Sequence, residues 1–455
     1  MSKIVKFLSI SLLVLAFLSG GATAKVSEEE AARLGKDLTP VGAEKAGNAD
    51  GTIPEWTGGI TKPPEGYKPG DHHPLPFPED KPLFTITAQN LDKYKDKLTP
   101  GQIAMFKVYP ETYKMTVYKT YRTASYPQFV YDASIENARN AELIENGNGF
   151  KGARVTSPFP MPKNGVEAIW NHILHYRGNT VIKYGAQAAP TRGGSYTIMK
   201  MVEKIVVDYA NPDKSLEELA KANIFGKFVQ VITSPARLSG TALLIHESIN
   251  QVKKPRQAWT YNSGQRRVRR APNVAYDTPG TAADGLRTTD DWDMMNGSPD
   301  RYNWELKGKK EIYIPYNTYK LHSDQVKYKD ILKPGHINKD LVRYELHRVW
   351  VVEATLKKGI RHLYKKRVFY LDEDSWAGAL EDIYDARDQL WRFYAAHQIN
   401  YYEVPNLWST LDCIYDLQAG RYLAVGLDNE SKMYDYSAKL PSGEFTPAAL
   451  RRAGK

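Results

Sequence analysis

YELHRVWVVEATL, residues 344–356, alternates in a way that decides the fold. Tyr344, Leu346, Arg348, Trp350, Val352, Ala354 and Leu356 fall on one side of an extended chain, because successive strand side chains point to opposite faces. Lys357-Lys358-Gly359-Ile360 follows, and residues 361–371 resume an apolar strand pattern. Residues 379–384 and 389–401 then flank Asp385-Ala386-Arg387-Asp388, and residues 412–417 and 422–427 flank Ala419-Gly420. Links this short join antiparallel neighbours, so residues 340–427 are expected to form a β-meander. The reading extends upstream. Residues 227–234 and 241–249 flank a Pro-Ala-Arg-Leu-Ser-Gly connection, and residues 256–261 and 265–270 flank the turn Asn262-Ser263-Gly264. No repeat of 20–50 residues with a fixed motif occurs, which disfavours a propeller or solenoid.

The first third reads as helices and irregular chain. Ser27 with Glu30, Thr99 with Gln102 and Ser215 with Glu218 are capping boxes. They predict helices to Leu34, to about Tyr109 and over residues 216–222. Asn164 caps a helix over 166–176, and a further helix is expected over 134–145, stopped by Asn146-Gly147. Residues 40–82 are rich in Pro and Gly and should wrap the surface. Residues 428–455 read as a polar tail with a short helix over 447–452.

The extreme N-terminus carries an export signature: Lys3 and Lys6, an apolar run from Phe7 to Leu18, and the small-x-small site Ala22-Thr23-Ala24. Cleavage would leave Lys25 first. Cys413 is the sole cysteine, so an intrachain disulfide, a thiol metal cluster and a lipidated cysteine after the leader are all excluded. These features point to a bacterial periplasm. The formal charge is +10, of which Lys3 and Lys6 supply two. Nucleic acid is not an expected partner for an exported chain; anionic lipid or another envelope surface suits the basic excess better. The 30 tyrosines and 9 tryptophans suit a half-open sheet or a cavity lining.

Catalytic signatures are missing. There is no G-x-S-x-G elbow, no P-loop and no G-x-G-x-x-G between strand and helix. His246-Glu247 lacks the second histidine of H-E-x-x-H. Cys413 lies in an apolar strand pattern and reads as a buried, inert thiol. Asn48-Ala49-Asp50-Gly51-Thr52-Ile53 looks like the middle of a calcium loop but lacks the flanking acids, so an Asx-type turn is expected. His172 and His175 share a helix face near Trp170, which fits packing or helix C-terminal stabilisation better than a metal. Gln265-Arg266-Arg267-Val268-Arg269-Arg270 is the densest charge cluster. It reads either as a solvated or salt-bridged strand, with Asp290, Asp291 and Asp293 as candidate partners, or as a receptor for a lipid headgroup.

Several of these stretches together resemble a known family. They are Ile53-Pro54-Glu55-Trp56-Thr57-Gly58-Gly59 at the N-terminus, and Pro158-Phe159-Pro160-Met161-Pro162 with Asn164-Gly165 and Trp170-Asn171-His172. The third is Trp259-x-Tyr261-x-x-Gly264 running through the arginine cluster to Ala271-Pro272, followed by Ile314-Pro315-Tyr316-Asn317. The family is domain-of-unknown-function family 1329, a group of bacterial periplasmic proteins. The resemblance implies a fold similar to the lipoprotein carriers LolA and LolB, curved half-closed sheets whose helices plug an apolar cavity. It also implies association with outer-membrane proteins and with resistance-nodulation-division (RND) exporters. This chain is much longer than those carriers, so its N-terminal region is additional.

The expected fold is therefore α+β and β-rich: a large curved antiparallel sheet, a LolA/LolB-like half-open barrel, with helices over its concave face. The expected layout is a signal peptide over 1–24, a wrapping region over 25–160, the sheet domain over 161–430 and a tail over 431–455. The expected function is a non-enzymatic periplasmic carrier of a hydrophobic or lipid-like ligand, without cofactor or metal. An envelope scaffold contacting an RND-type exporter or outer-membrane barrel, and a hydrolase with an unrecognised site, are the alternatives. Candidate ligand-binding residues are Trp170, His172, Trp259, Tyr261, Arg267, Arg269 and Trp350. A carrier should contain an apolar cavity of several hundred Å³.

Overall fold

The computed structural model describes residues 26–272, 274 and 276–454. The leader and the expected cleavage point before Lys25 lie outside the described residues. Four short strands come first: β1 (Phe84–Ile86), β2 (Met115–Val117), β3 (Glu142–Ile144) and β4 (Gly149–Lys151). Then follow β5 (Thr180–Ala188), β6 (Met199–Val206), β7 (Gly226–Ser234), β8 (Ala242–Glu247), β9 (Gln257–Asn262) and β10 (Arg267–Arg270). The C-terminal set is β11 (Tyr302–Pro315), β12 (Tyr344–Leu356), β13 (Lys366–Asp372), β14 (Gly378–Tyr384), β15 (Leu390–Tyr401), β16 (Asn406–Asp416) and β17 (Arg421–Leu427). The helices are α1 (Glu28–Ala31), α2 (Pro100–Val108), α3 (Gln128–Asn140), α4 (Gly165–Leu174), α5 (Leu216–Ala222), α6 (Tyr319–His322), α7 (Tyr328–Ile331) and α8 (Pro447–Ala453).

Fifteen strands form one curved sheet, in the order β1-β2-β12-β13-β14-β15-β16-β17-β5-β6-β7-β8-β9-β10, with β11 also paired to β12. From β11 through to β10 every neighbour is antiparallel, and each short link produces the pairing expected of it. The closing step is β17 against β5, with Ala424 opposite Ala188, which joins the C-terminal meander to the upstream half.

Both faces of the meander are buried. Val351, Val368, Tyr370, Phe393, Cys413 and Tyr415 form one core with Met105 and Phe106 of α2. Val352, Ala354, Phe369, Leu371, Tyr394 and Ile414 form the other with Ile169, Trp170 and Ile173 of α4. Cys413 is fully buried and burial pushes its thiol up to about 12, as befits an inert core residue.

The three capping boxes form as expected. The helix expected over 134–145 instead spans Gln128–Asn140: Pro127 starts it, and Glu142–Ile144 leaves it to pair with β4. The tail is packed rather than loose. Phe445 and Leu450 of the α8 segment lie against Val229, Leu244 and Tyr261. Arg122 binds the N-terminal wrap to the sheet, donating to the carbonyls of Glu44 and Lys45 and to both carboxylate oxygens of Asp374.

Helix α4 needs a glycine. A Cβ on Gly165 would sit 2.7 Å from the backbone nitrogen of Glu305 on β11, a contact with no flexible side chain to yield. Gly165→Ala is expected to destabilise by about 1–3 kcal/mol, read as a lower denaturation midpoint at unchanged slope. An unchanged midpoint would mean that α4 can slide.

Candidate functional site

Above strands β5–β9 lies a cavity of about 260 Å³, roofed by the end of α4, by Val274 and by the strap of residues 276–296. The period-two rule builds its floor. Phe228 and Gln230 of β7, Leu243 and Ile245 of β8 and Thr260 of β9 point into it. The intervening residues Val229, Leu244 and Tyr261 turn to the opposite face and pack under α8. Val181 of β5 and Ile205 of β6 continue the floor, while Ile173, Leu174 and His175 supply the roof. The walls are mostly apolar, and the volume falls below the several hundred Å³ expected, at the lower edge of ordinary ligand pockets.

The polar groups of the lining are nearly all paired. Arg177 forms an ion pair with Asp293 and donates to the Ile173 carbonyl (2.8 Å). Arg256 pairs with Glu247 at 2.7 Å, and Lys227 with Asp208 at 2.7 Å. Asp293 is mostly buried, which would raise its carboxyl, yet the Arg177 guanidinium beside it holds it down at about 2. His175 is fully enclosed; burial lowers its pKa, and its Nε2 has no hydrogen-bond partner.

The family described as protein of unknown function (DUF1329) matches residues 85–451. The chain belongs to the DUF1329 family. An uncharacterized protein of Pseudomonas aeruginosa is 53% identical over 453 residues, covering 98% of each chain. A DUF1329 family protein from Desulfovibrio piger superposes with a TM-score of 0.41 at 15% identity, covering 60% of this chain and 92% of its own. A LolA superfamily protein from Nitrosomonas europaea gives a TM-score of 0.36 at 12% identity, covering 60% and 91%.

In this DUF1329 protein the expected site residues lie in separate places. Trp259 and Tyr261 flank Thr260 but face α8, Trp259 packing its ring edge-on to His246 at 5.1 Å. Arg267 and Arg269 are exposed on the edge strand β10. Arg269 stands opposite Thr260 in register, so it shares the cavity's face one strand outward. Trp170 is fully buried and donates to the Gly147 carbonyl (2.9 Å). His172 lies with Nε2 2.8 Å from the Asp293 carbonyl and Nδ1 3.2 Å from that of Trp376, a packed core histidine beneath the roof. Trp350 is remote, stacked on Trp376 at 5.9 Å with Lys309 over its ring.

The acids proposed for the arginine cluster serve other arginines. Asp290 and Asp291 hold Arg367, and Asp293 holds Arg177. The Asn48–Ile53 stretch is held as a turn, with Asp50 Oδ1 accepting from the Thr52 hydroxyl (2.6 Å) and Asn48 Oδ1 from the Ile53 amide (2.8 Å). Among the described residues His347, Asp372 and Asp374 place ligand atoms within 4.8 Å of one another. Both oxygens of Asp374 are taken by Arg122, and Asp372 accepts from Ser375 through Oδ2 at 2.5 Å, while its Oδ1 lies 3.9 Å from His347 Nδ1 without a hydrogen bond. Sequence reasoning missed Arg287, Trp292 and most of the floor. The strap has no periodicity, whereas the alternation Met199, Met201, Glu203, Ile205 in β6 was a usable signal.

Proposed function

We propose that this DUF1329 protein is a periplasmic carrier of a hydrophobic or lipid-like ligand, held between α4 and the β5–β9 floor. The supporting observation is the mainly apolar cavity, whose floor comes from strands and whose roof is a helix end and a strap. Such a site works by replacing water around apolar surface, at about 25 cal/mol per Å² removed, and needs no reacting group. The leader, with Lys3, Lys6 and the Ala22-Thr23-Ala24 site, supports the compartment. Arg267 and Arg269, on the cavity's face at the sheet edge, supply a basic approach for an anionic lipid. An RND-type exporter or outer-membrane protein is the delivery partner in this reading. Among the described residues no helix is long and apolar enough to cross a membrane.

Filling the cavity tests the reading. Ile245 is buried at the floor, and Ile245→Trp should occupy the space a ligand would use. A dansyl-labelled fatty acid should bind the wild type and bind this variant at least tenfold more weakly, at a similar melting temperature. A folded variant that binds as the wild type does would remove the cavity from the function.

A further inference from the structure

Arg287 is the one cation of the cavity lining, among the described residues, that no carboxylate answers. Its residue is 7% exposed, its Nε is buried without a hydrogen-bond partner, and its side chain makes no ion pair within 4 Å. It comes from the strap, whose 279–288 segment folds on itself through the Gly280 amide donating to the Arg287 carbonyl (2.9 Å). The guanidinium lies directly over Gly280, where a Cβ would meet its atoms at 3.1–3.3 Å. Residue 280 therefore leaves the room in which the guanidinium rests.

An arginine cannot shed its proton to escape burial. A buried charge without a partner costs several kcal/mol, so native proteins pair such groups. The neighbouring acids are held by other donors or only part ionised near neutral pH. Asp293 is committed to Arg177 and to the Trp408 indole (3.1 Å), and Glu203 accepts from Gln230 (2.8 Å). Asp412 lines the small adjoining space that Arg287 also borders, and burial lifts its carboxyl to about 7. Lys183, on the same side, adds positive charge. Among the buried side-chain atoms of the described lining residues, the other without a hydrogen-bond partner is His175 Nε2. Among the described residues, then, no carboxylate comes within ion-pair distance of the guanidinium, and the nearby acids answer other donors.

We infer that Arg287 is the receptor for the acidic head of a single-chain amphiphile, a carboxylate or phosphate, whose apolar chain lies along Phe228, Leu243 and Ile245. A guanidinium fork matches either head bidentately, and about 260 Å³ admits one chain rather than a two-chain lipid. The inference rests on the carrier reading and adds to it the charge and chain number of the ligand.

The test compares dodecanoate, dodecyl phosphate and dodecanol by displacement of the dansyl probe from the full-length mature protein. The two anions should bind wild type at least tenfold more tightly than the alcohol. Arg287→Gln should bring the anions down to the level of dodecanol while leaving dodecanol unchanged, and Arg287→Lys should retain part of the preference. The ratio of dodecanoate to dodecyl phosphate identifies which head the site takes. Equal binding of anion and alcohol to the wild type, or an Arg287→Gln variant that keeps the anion preference, would overturn the inference and leave the carrier reading standing. Binding of none of the three would overturn the carrier reading itself. Should Arg287→Gln fail to fold, the wild-type comparison of anion with alcohol decides.

Discussion

Replacing Arg367 with leucine is expected to cost about 3–5 kcal/mol of stability, the largest effect of any single substitution considered. Arg367 is fully buried on β13. Its Nε donates to Glu381 (2.6 Å) and one terminal nitrogen to Asp291 and the Met294 carbonyl (both 2.8 Å), while the other lies 3.5 Å from Asp290. One cation thus serves three carboxylates, and His362 adds a hydrogen bond to Asp290 at 3.0 Å. Removing the cation strands those acids away from water, which costs far more than the pair itself contributes. Burial and the two neighbouring aspartates already hold the Glu381 carboxyl up at about 8, so it is the group that protonates first. The double variant Arg367→Leu/Glu381→Leu should therefore recover part of the loss, as a double-mutant cycle in urea would read. Strictly additive losses would mean that the cluster is not coupled. The consequence reaches the cavity. Asp290 and Asp291 belong to the strap that carries Arg287 and Trp292, so Arg367 is one of the residues that tie the cavity's roof to the meander, beside Tyr364, Arg392 and Trp408.

The meander was legible because its period is two and its links are short. The strand expected over 344–356 forms over Tyr344–Leu356, and the turns at Asp385–Asp388 and Ala419-Gly420 join the strands expected of them. Strand β11 was hidden: Tyr302–Pro315 carries Lys307, Lys309, Lys310 and a register shift near Gly308, so its outer half reads as polar chain. Strand β5 was hidden for the opposite reason, since Thr180–Ala188 is partly buried on both sides and shows little alternation. The site was legible only to within one residue of register. Trp259 and Tyr261 drew attention as large aromatics, yet the pleat sends them beneath α8 and gives the cavity Thr260. No local signal distinguishes the two faces when both are covered. Arg287 could not be singled out at all, because what marks it is a partner that is missing in space.

Asp382→Asn is expected to change how stability depends on pH. Asp382 lies wholly inside the protein beneath the start of α2, where burial raises its carboxyl to about 7 against the hydrogen bonds that favour the charged form. Those bonds come from the Gly101 amide (2.9 Å), the Thr99 hydroxyl (3.3 Å) and the Tyr370 hydroxyl (3.1 Å). The helix backbone presses on the acid so closely that a Cβ on Gly101 would stand 2.3 Å from its Oδ1. The folded pKa is raised above the unfolded value of about 3.9, so this group's stabilisation is fully present below pH ~4 and is lost as pH rises through 7. An asparagine keeps the shape and cannot ionise; its amide can donate to the Tyr370 oxygen while Oδ1 still accepts from Gly101. The stability difference between wild type and Asp382→Asn should therefore move in favour of the variant by about 2–3 kcal/mol between pH 5 and pH 8. Taking the difference cancels the histidines and other acids common to both proteins. Urea titrations of the two proteins at several pH values would measure it, and parallel stability curves across that range would show that Asp382 is ionised in the folded protein throughout.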